Sequence, residues 1–148
     1  MLAGASRVDI SPPSGLFLAG MGFGRPLPAR CHDPLYAKAL FLDDGTTRWA
    51  LVAADLIAYN DKDYRRVRSL IAERRPDLAD LPLTIACSHN HSGPATYRCY
   101  ENASLKRPEI DGAAWLGYLD RVAEAIADAG AQAAERPVPA KIGFRRGA

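Results

Sequence analysis

No stretch of this chain is apolar for long enough to cross a bilayer. The longest apolar runs, such as Trp49 to Ala54, fall far short of the roughly 20 residues a spanning helix needs. No secretory leader is visible either, because a strand-like alternation begins at once with Ala5-Ser6-Arg7-Val8-Asp9-Ile10. As written, the sequence reads as cytoplasmic, or as secreted or periplasmic if a leader preceded Met1. Cysteine is scarce. Cys31, Cys87 and Cys99 are odd in number and unrelated in spacing, which excludes a disulfide framework and fits reduced thiols. An excess of one charge is missing as well. With 19 Lys and Arg against 17 Asp and Glu, the net charge of +2 gives no pull on a nucleic acid or an anionic membrane. The densest basic stretch, Arg65-Arg66-Val67-Arg68, is followed by Glu73 and Asp77 and reads as a solvated helix face. Nothing in the pattern reports an oligomeric state.

What remains is an ordinary globular composition: 148 residues, 48% hydrophobic and 24% charged. That length suits one domain, burying roughly 70% of the surface its unfolded chain exposes. Ser6–Ile10 reads as a short first strand. The next segment, 11–34, is dense in Gly and Pro, and a loop of that length inside a compact domain is commonly functional. Its Gly20-Met21-Gly22-Phe23-Gly24 run is not a phosphate-binding loop, since Pro26 and Pro28 disfavour the helix that must follow. Close backbone packing is the better use for those glycines. Tyr36–Leu42 and Thr47–Ala54 form a hairpin around Asp43-Asp44-Gly45-Thr46. Asn60 or Asp61 caps a helix through Arg75, with Tyr64, Val67, Leu70, Ile71 and Arg74 on one face and Pro76 as its stop. Leu83–Cys87 is a further strand. A second helix runs from about Gly112 to Glu135, its Trp115, Leu119, Val122, Ile126 and Ala129 stripe being core. Ala140-Lys141-Ile142-Gly143-Phe144 reads as a last strand with nothing after it to pack against. The expectation is an α/β fold, a mixed β-sheet with flanking helices, forming the opening portion of a larger α/β domain.

In open α/β sheets ligands collect at the carboxyl ends of strands. Asp55 and Ser88-His89-Asn90-His91-Ser92-Gly93-Pro94 both fall at such ends. The chain has three histidines, and two of them are His89 and His91. If the strand continues, residues two apart share a face at roughly 6.5–7 Å. Such imidazoles can share a metal, or one can ligate while the other serves as acid, base or hydrogen-bond donor. Ser92-Gly93-Pro94 then breaks the strand and lets backbone N–H groups approach a ligand. Several owners of His-x-His are excluded. A metallo-β-lactamase needs Asp-His after the pair, a cupin needs a Glu closer than Glu101, and an amidohydrolase barrel needs a far longer chain. No Gly-x-Ser-x-Gly elbow exists for a serine hydrolase.

The order of "AGASRVDISPP", "LAGMGFGRPLPARCHDPLYAKALFLDDG", "ALVAADL" and above all "TIACSHNHSGPAT" resembles the opening of the neutral/alkaline (non-lysosomal) ceramidase family. The family motif is His-Thr-His-Ser-Gly-Pro, and here Asn90 stands in place of the threonine. The resemblance implies that residues 1–148 are the N-terminal portion of a catalytic domain. It also implies a zinc-dependent hydrolase that splits the linear amide of an N-acyl sphingoid base into a fatty acid and an amine. On this reading His89 ligates Zn2+, with His91 as the alternative ligand or a neighbour of the metal, and Ser92 and Gly93 contact substrate or backbone. The family's other ligands and its serine belong to motifs beyond this stretch, and His32 lies too early to replace the later histidine. Asp55 either supports the site from the adjacent strand end or is a structural carboxylate bonding the turn before Asn60. The partner is then a small lipid-like amide.

Two other readings compete. A non-enzymatic domain could hold a structural zinc through Cys87, His89, His91 and either Cys99 or Cys31. Alternatively, Cys87 or Cys99 could act as a nucleophile beside a histidine, although burial is the ordinary fate of a thiol such as Cys87.

Overall fold

The computed structural model describes residues 1–20, 31–97 and 111–147. Five strands form one mixed sheet: β1 (Leu2–Asp9), β2 (Tyr36–Asp43), β3 (Arg48–Ala54), β4 (Leu83–Cys87) and β5 (Val138–Pro139). The described residues also form two helices, α1 (Asp61–Arg74) and α2 (Gly112–Ala133), with a 3-10 turn at Pro76–Leu78. The spatial order is β4-β3-β2-β1-β5. All neighbours are antiparallel except β3 and β4, which run parallel and are joined through α1.

The hairpin between β2 and β3 closes as its composition predicts. Gly45 takes φ +89°, a left-handed conformation that glycine adopts without penalty. Asp44 accepts from the backbone N–H groups of Thr46 and Thr47 at 2.8 and 2.7 Å, and these bonds hold its carboxyl below the usual carboxylate range. The register sets Ala37 against Ala54, Ala39 against Val52 and Phe41 against Ala50, all buried on one face. Gly4, Ser6 and Val8 extend that face onto β1, and Leu83 and Ile85 extend it onto β4. Helix α2 lies across β1, β2 and β3 on this side, and α1 packs against α2. The opposite face carries Ala5, Arg7, Lys38, Leu40, Ala53, Thr84 and Ala86, all exposed.

Small residues let α2 lie close. Its buried face includes Ala123, Ala127 and Ala133 beside the anticipated Trp115, Leu119, Val122, Ile126 and Ala129. Asp111 caps it, accepting from the Ala114 N–H at 3.0 Å. At the far end, Gly4 lies so near the helix that a Cβ there would sit 1.9 Å from the Ala133 carbonyl oxygen. Ser6 donates to the Ala129 carbonyl at 2.6 Å along the same seam.

Several elements differ from expectation. Strand β1 begins at Leu2 rather than Ser6, because main-chain pairing with all of β2 overrides the weak strand propensity of Ala and Gly. Asn60 occupies the position before α1, but its side chain does not cap it. Instead Nδ2 donates to the Thr96 carbonyl at 2.9 Å and to Asp63 Oδ2 at 3.2 Å. The buried residues of α1 are Asp63, Val67, Leu70 and Ile71, with Tyr64 only partly covered. The last strand is Val138–Pro139, paired with Leu2 and Ala3, and residues 140–147 are irregular. Proline is tolerated here because the strand lies at the sheet edge, and one further main-chain bond, from Ala140 N–H to the Met1 carbonyl at 3.0 Å, follows it. No helix among the described residues is long and apolar enough to cross a membrane.

Candidate functional site

The histidine loop leaves the carboxyl end of β4 beside the carboxyl end of β3, the two ends of the parallel pair. Its course is dictated by the segment between β3 and α1. Ser88 N–H donates to the Ala54 carbonyl at 3.0 Å and Asn90 N–H to the Leu56 carbonyl at 3.2 Å. His89 Nδ1 bonds the Ile57 carbonyl at 3.0 Å, and the Thr96 hydroxyl bonds the Ala58 carbonyl at 2.5 Å. Four carbonyls within five residues thus hold the loop. Within it, Asn90 Oδ1 accepts from the Ser92 N–H at 2.7 Å, which tightens the turn. Trp115 of α2 donates its indole N–H to the Ala95 carbonyl at 2.7 Å and anchors the exit.

The pair does not arise by strand continuation. Regular pairing stops at Cys87, and His89 adopts φ 58°, left-handed backbone uncommon for a non-glycine residue. The chain folds back there. The two rings consequently meet edge to face, with centroids 5.0 Å apart and planes at 63°. Both residues reach the surface. Because His89 Nδ1 is committed to a carbonyl, Nε2 is the nitrogen it presents outward.

A second loop completes the surroundings. Ala19 N–H donates to the Gly93 carbonyl at 2.9 Å, and Leu18 bridges to Pro94. Gly20, at φ +71°, comes against His91: a Cβ there would lie 2.3 Å from Nδ1 and 2.4 Å from Cε1 of the imidazole. Close packing is therefore what this member of the glycine run provides. Gly22 and Gly24, like Cys99 and Glu101, lie outside the described residues. Gly93 is buried where a Cβ would meet Leu35 Cδ1 at 2.8 Å, and Ser92 is exposed.

Asp55 is not turned to the histidine loop. Its carboxylate accepts from the Tyr36 N–H at 3.0 Å and from the Lys38 ammonium at 3.3 Å, tying the end of β3 to the start of β2. These contacts are with β2 and not with the turn before Asn60. Cys87 is half-buried against the core, and burial pushes its thiol pKa up, away from nucleophile chemistry. Cys31 is exposed and bonds the Asp33 carbonyl at 3.0 Å, while neighbouring His32 pairs with Asp33 at 2.7 Å, a contact that raises the His32 pKa. Among the described residues, no three His, Cys, Asp or Glu side chains converge as a metal site.

The signals for the histidine pair were in the sequence. The carbonyls of Ile57 and Ala58 and the approach of Gly20 were not, since main-chain acceptors leave no compositional trace.

The architecture is thus an α/β layer, with helices on one side of a mixed sheet and a histidine loop at the carboxyl end of its parallel pair. No protein-family model and no curated protein matches the chain. Among solved structures it is similar to a ceramidase complexed with C2, at 19% identity and a TM-score of 0.69. It is similar also to the neutral ceramidase from Pseudomonas aeruginosa, at 17% identity and a TM-score of 0.67. Each likeness covers 93% of this chain and 22% of the ceramidase, so the chain spans about a fifth of the length of the structures it matches. The fold is that of part of a neutral ceramidase.

Proposed function

We propose that the chain contributes the histidine loop to a zinc-dependent hydrolase of a linear N-acyl amide, of ceramidase type. The observation that carries this reading is the His89 Nδ1 bond to the Ile57 carbonyl, with a second imidazole 5.0 Å away on the same loop. Metal-binding histidines ordinarily anchor one ring nitrogen on a carbonyl or carboxylate, which fixes the tautomer and raises the basicity of the other nitrogen. His89 has that arrangement and fits a zinc ligand through Nε2. When bound, zinc lowers the pKa of a water to about 7 and polarises a carbonyl, which amide hydrolysis requires. His91, edge-on to His89, is placed to hold or pass a proton, or to take a hydrogen bond from an amide. Ser92, exposed on the same loop, contacts substrate, and buried Gly93 makes the backbone contact, its carbonyl accepting from the Ala19 N–H.

A catalytic zinc takes three protein ligands, and the described residues gather no such set. The chain accordingly supplies part of the ligand set. The structural Cys/His zinc has less support, as Cys87 packs into the core and Cys31 is bonded within its own loop.

The test is metal content by mass spectrometry, on this chain and on a longer form of the protein, with hydrolysis of an N-acyl sphingoid base measured beside it. Zinc is expected in the longer form, with loss of zinc and a fall in hydrolysis of at least about 100-fold on His89→Ala. Hydrolysis retained in His89→Ala overturns the reading. Stoichiometric zinc in the 148-residue chain that is lost in Cys87→Ser as well as in His89→Ala transfers the case to the structural site.

A further inference from the structure

We infer that Gly20 is a positioning residue for His91, so that the segment Leu18-Ala19-Gly20, rather than the strand preceding the histidines, sets the gap between the two imidazoles. His89 is held by its own bond to Ile57. Among the described residues no hydrogen bond holds the His91 ring, which instead has the Gly20 backbone against its Nδ1–Cε1 side. The approach is too close for any side chain. A Cβ at 2.3 Å from a ring atom requires His91 to move, and the loop cannot easily yield, because Ala19 N–H and the Leu18–Pro94 bridge pin it to the residues just after His91. The wall on the Nδ1 side leaves Nε2 as the nitrogen through which His91 acts.

The functional consequence rests on the reading of His89 and His91 as the working pair; the geometric claim is testable without it. Gly15 supplies a control. It lies on the same loop with φ +92°, yet a Cβ there meets nothing within 4 Å. Gly15→Ala and Gly20→Ala therefore share the left-handed backbone penalty, and only the second pushes on His91.

By NMR on the apo protein, a cross-peak between Gly20 Hα and His91 Hε1 is expected. The His91 ring resonances should shift in Gly20→Ala and stay in place in Gly15→Ala. A missing cross-peak, or an equal shift in both variants, overturns the proposal. In the zinc-loaded enzyme, Gly20→Ala should lower kcat roughly 10- to 100-fold, the scale of a misplaced reacting group. Zinc affinity should change less than about threefold, since His89 is untouched. In a His91→Ala background the Gly20→Ala substitution should add nothing, and an undiminished additional loss there overturns the proposal. If no amide is hydrolysed by any form, the function fails while the NMR comparison still decides the role of Gly20.

Discussion

At the scale of single residues, His89 carries two demands that pull apart. Its imidazole needs the Ile57 carbonyl, and to reach it the backbone accepts φ 58°. A left-handed residue with a Cβ costs about 1–2 kcal/mol relative to glycine, which has none. His89→Gly and His89→Ala both delete the imidazole, but only the alanine keeps the strain. His89→Gly should therefore be the more stable of the two by about 1 kcal/mol, measured as the difference between their urea unfolding curves. Equal stabilities would show that the backbone relaxes out of the left-handed region once the ring is gone. The same residue shows how far sequence reading reaches. That two histidines two residues apart stand together at a strand end was legible, because Cys87 closes an apolar run and Gly93-Pro94 breaks it. That they meet edge to face was not, since the left-handed turn depends on an acceptor 32 residues away.

Between elements, β1 and the end of α2 come into close contact at Gly4. Gly4 admits the Ala133 carbonyl where a Cβ would fall 1.9 Å from it, and the obstructing atoms are backbone, which cannot swing aside. Gly4→Ala should therefore cost about 1–3 kcal/mol or more, from overpacking that shifts the helix, and thermal unfolding beside wild type checks this. The ion pairs joining the helices are a weaker tie. Arg74 reaches Glu124 and Asp128 across the gap between α1 and α2, at positions exposed enough for solvent to screen them. The elements themselves were largely readable. Asp-Asp-Gly-Thr announces the hairpin, period-3.6 apolar stripes announce both helices, and a run of five residues announces β4. The final strand was misplaced because Ala140–Phe144 alternates in strand fashion, whereas pairing depends on which residues come alongside Leu2 and Ala3. Asn60 was misread for a related reason: its residue type suits a cap, but Thr96 offered a carbonyl that only the tertiary fold brings near.

For the molecule as a whole, the helices cover one side of the sheet and leave the other to a mixture of apolar and charged side chains. There Arg7 lies 4.9 Å from the centre of the Tyr36 ring, and Lys38 lies 5.7 Å from it. Stability should divide accordingly. Ile126, fully buried on α2, should lose about 2–5 kcal/mol on Ile126→Ala. Leu40, 37% exposed on the bare face, should change by less than about 0.5 kcal/mol on Leu40→Thr. Denaturant midpoints of the two variants test the layering; a large loss at Leu40 would mean that its face is covered in solution. The histidine loop sits at the end of this sheet and hangs from the carbonyls of Ala54, Leu56, Ile57 and Ala58. Every residue type has a carbonyl, so point substitution in that supporting segment cannot delete an acceptor. What would disconnect the histidines is a change of count, one residue inserted or removed between 54 and 58. The support can therefore take any side chains that the core around Ala54 and Leu56 admits, so long as it keeps its length.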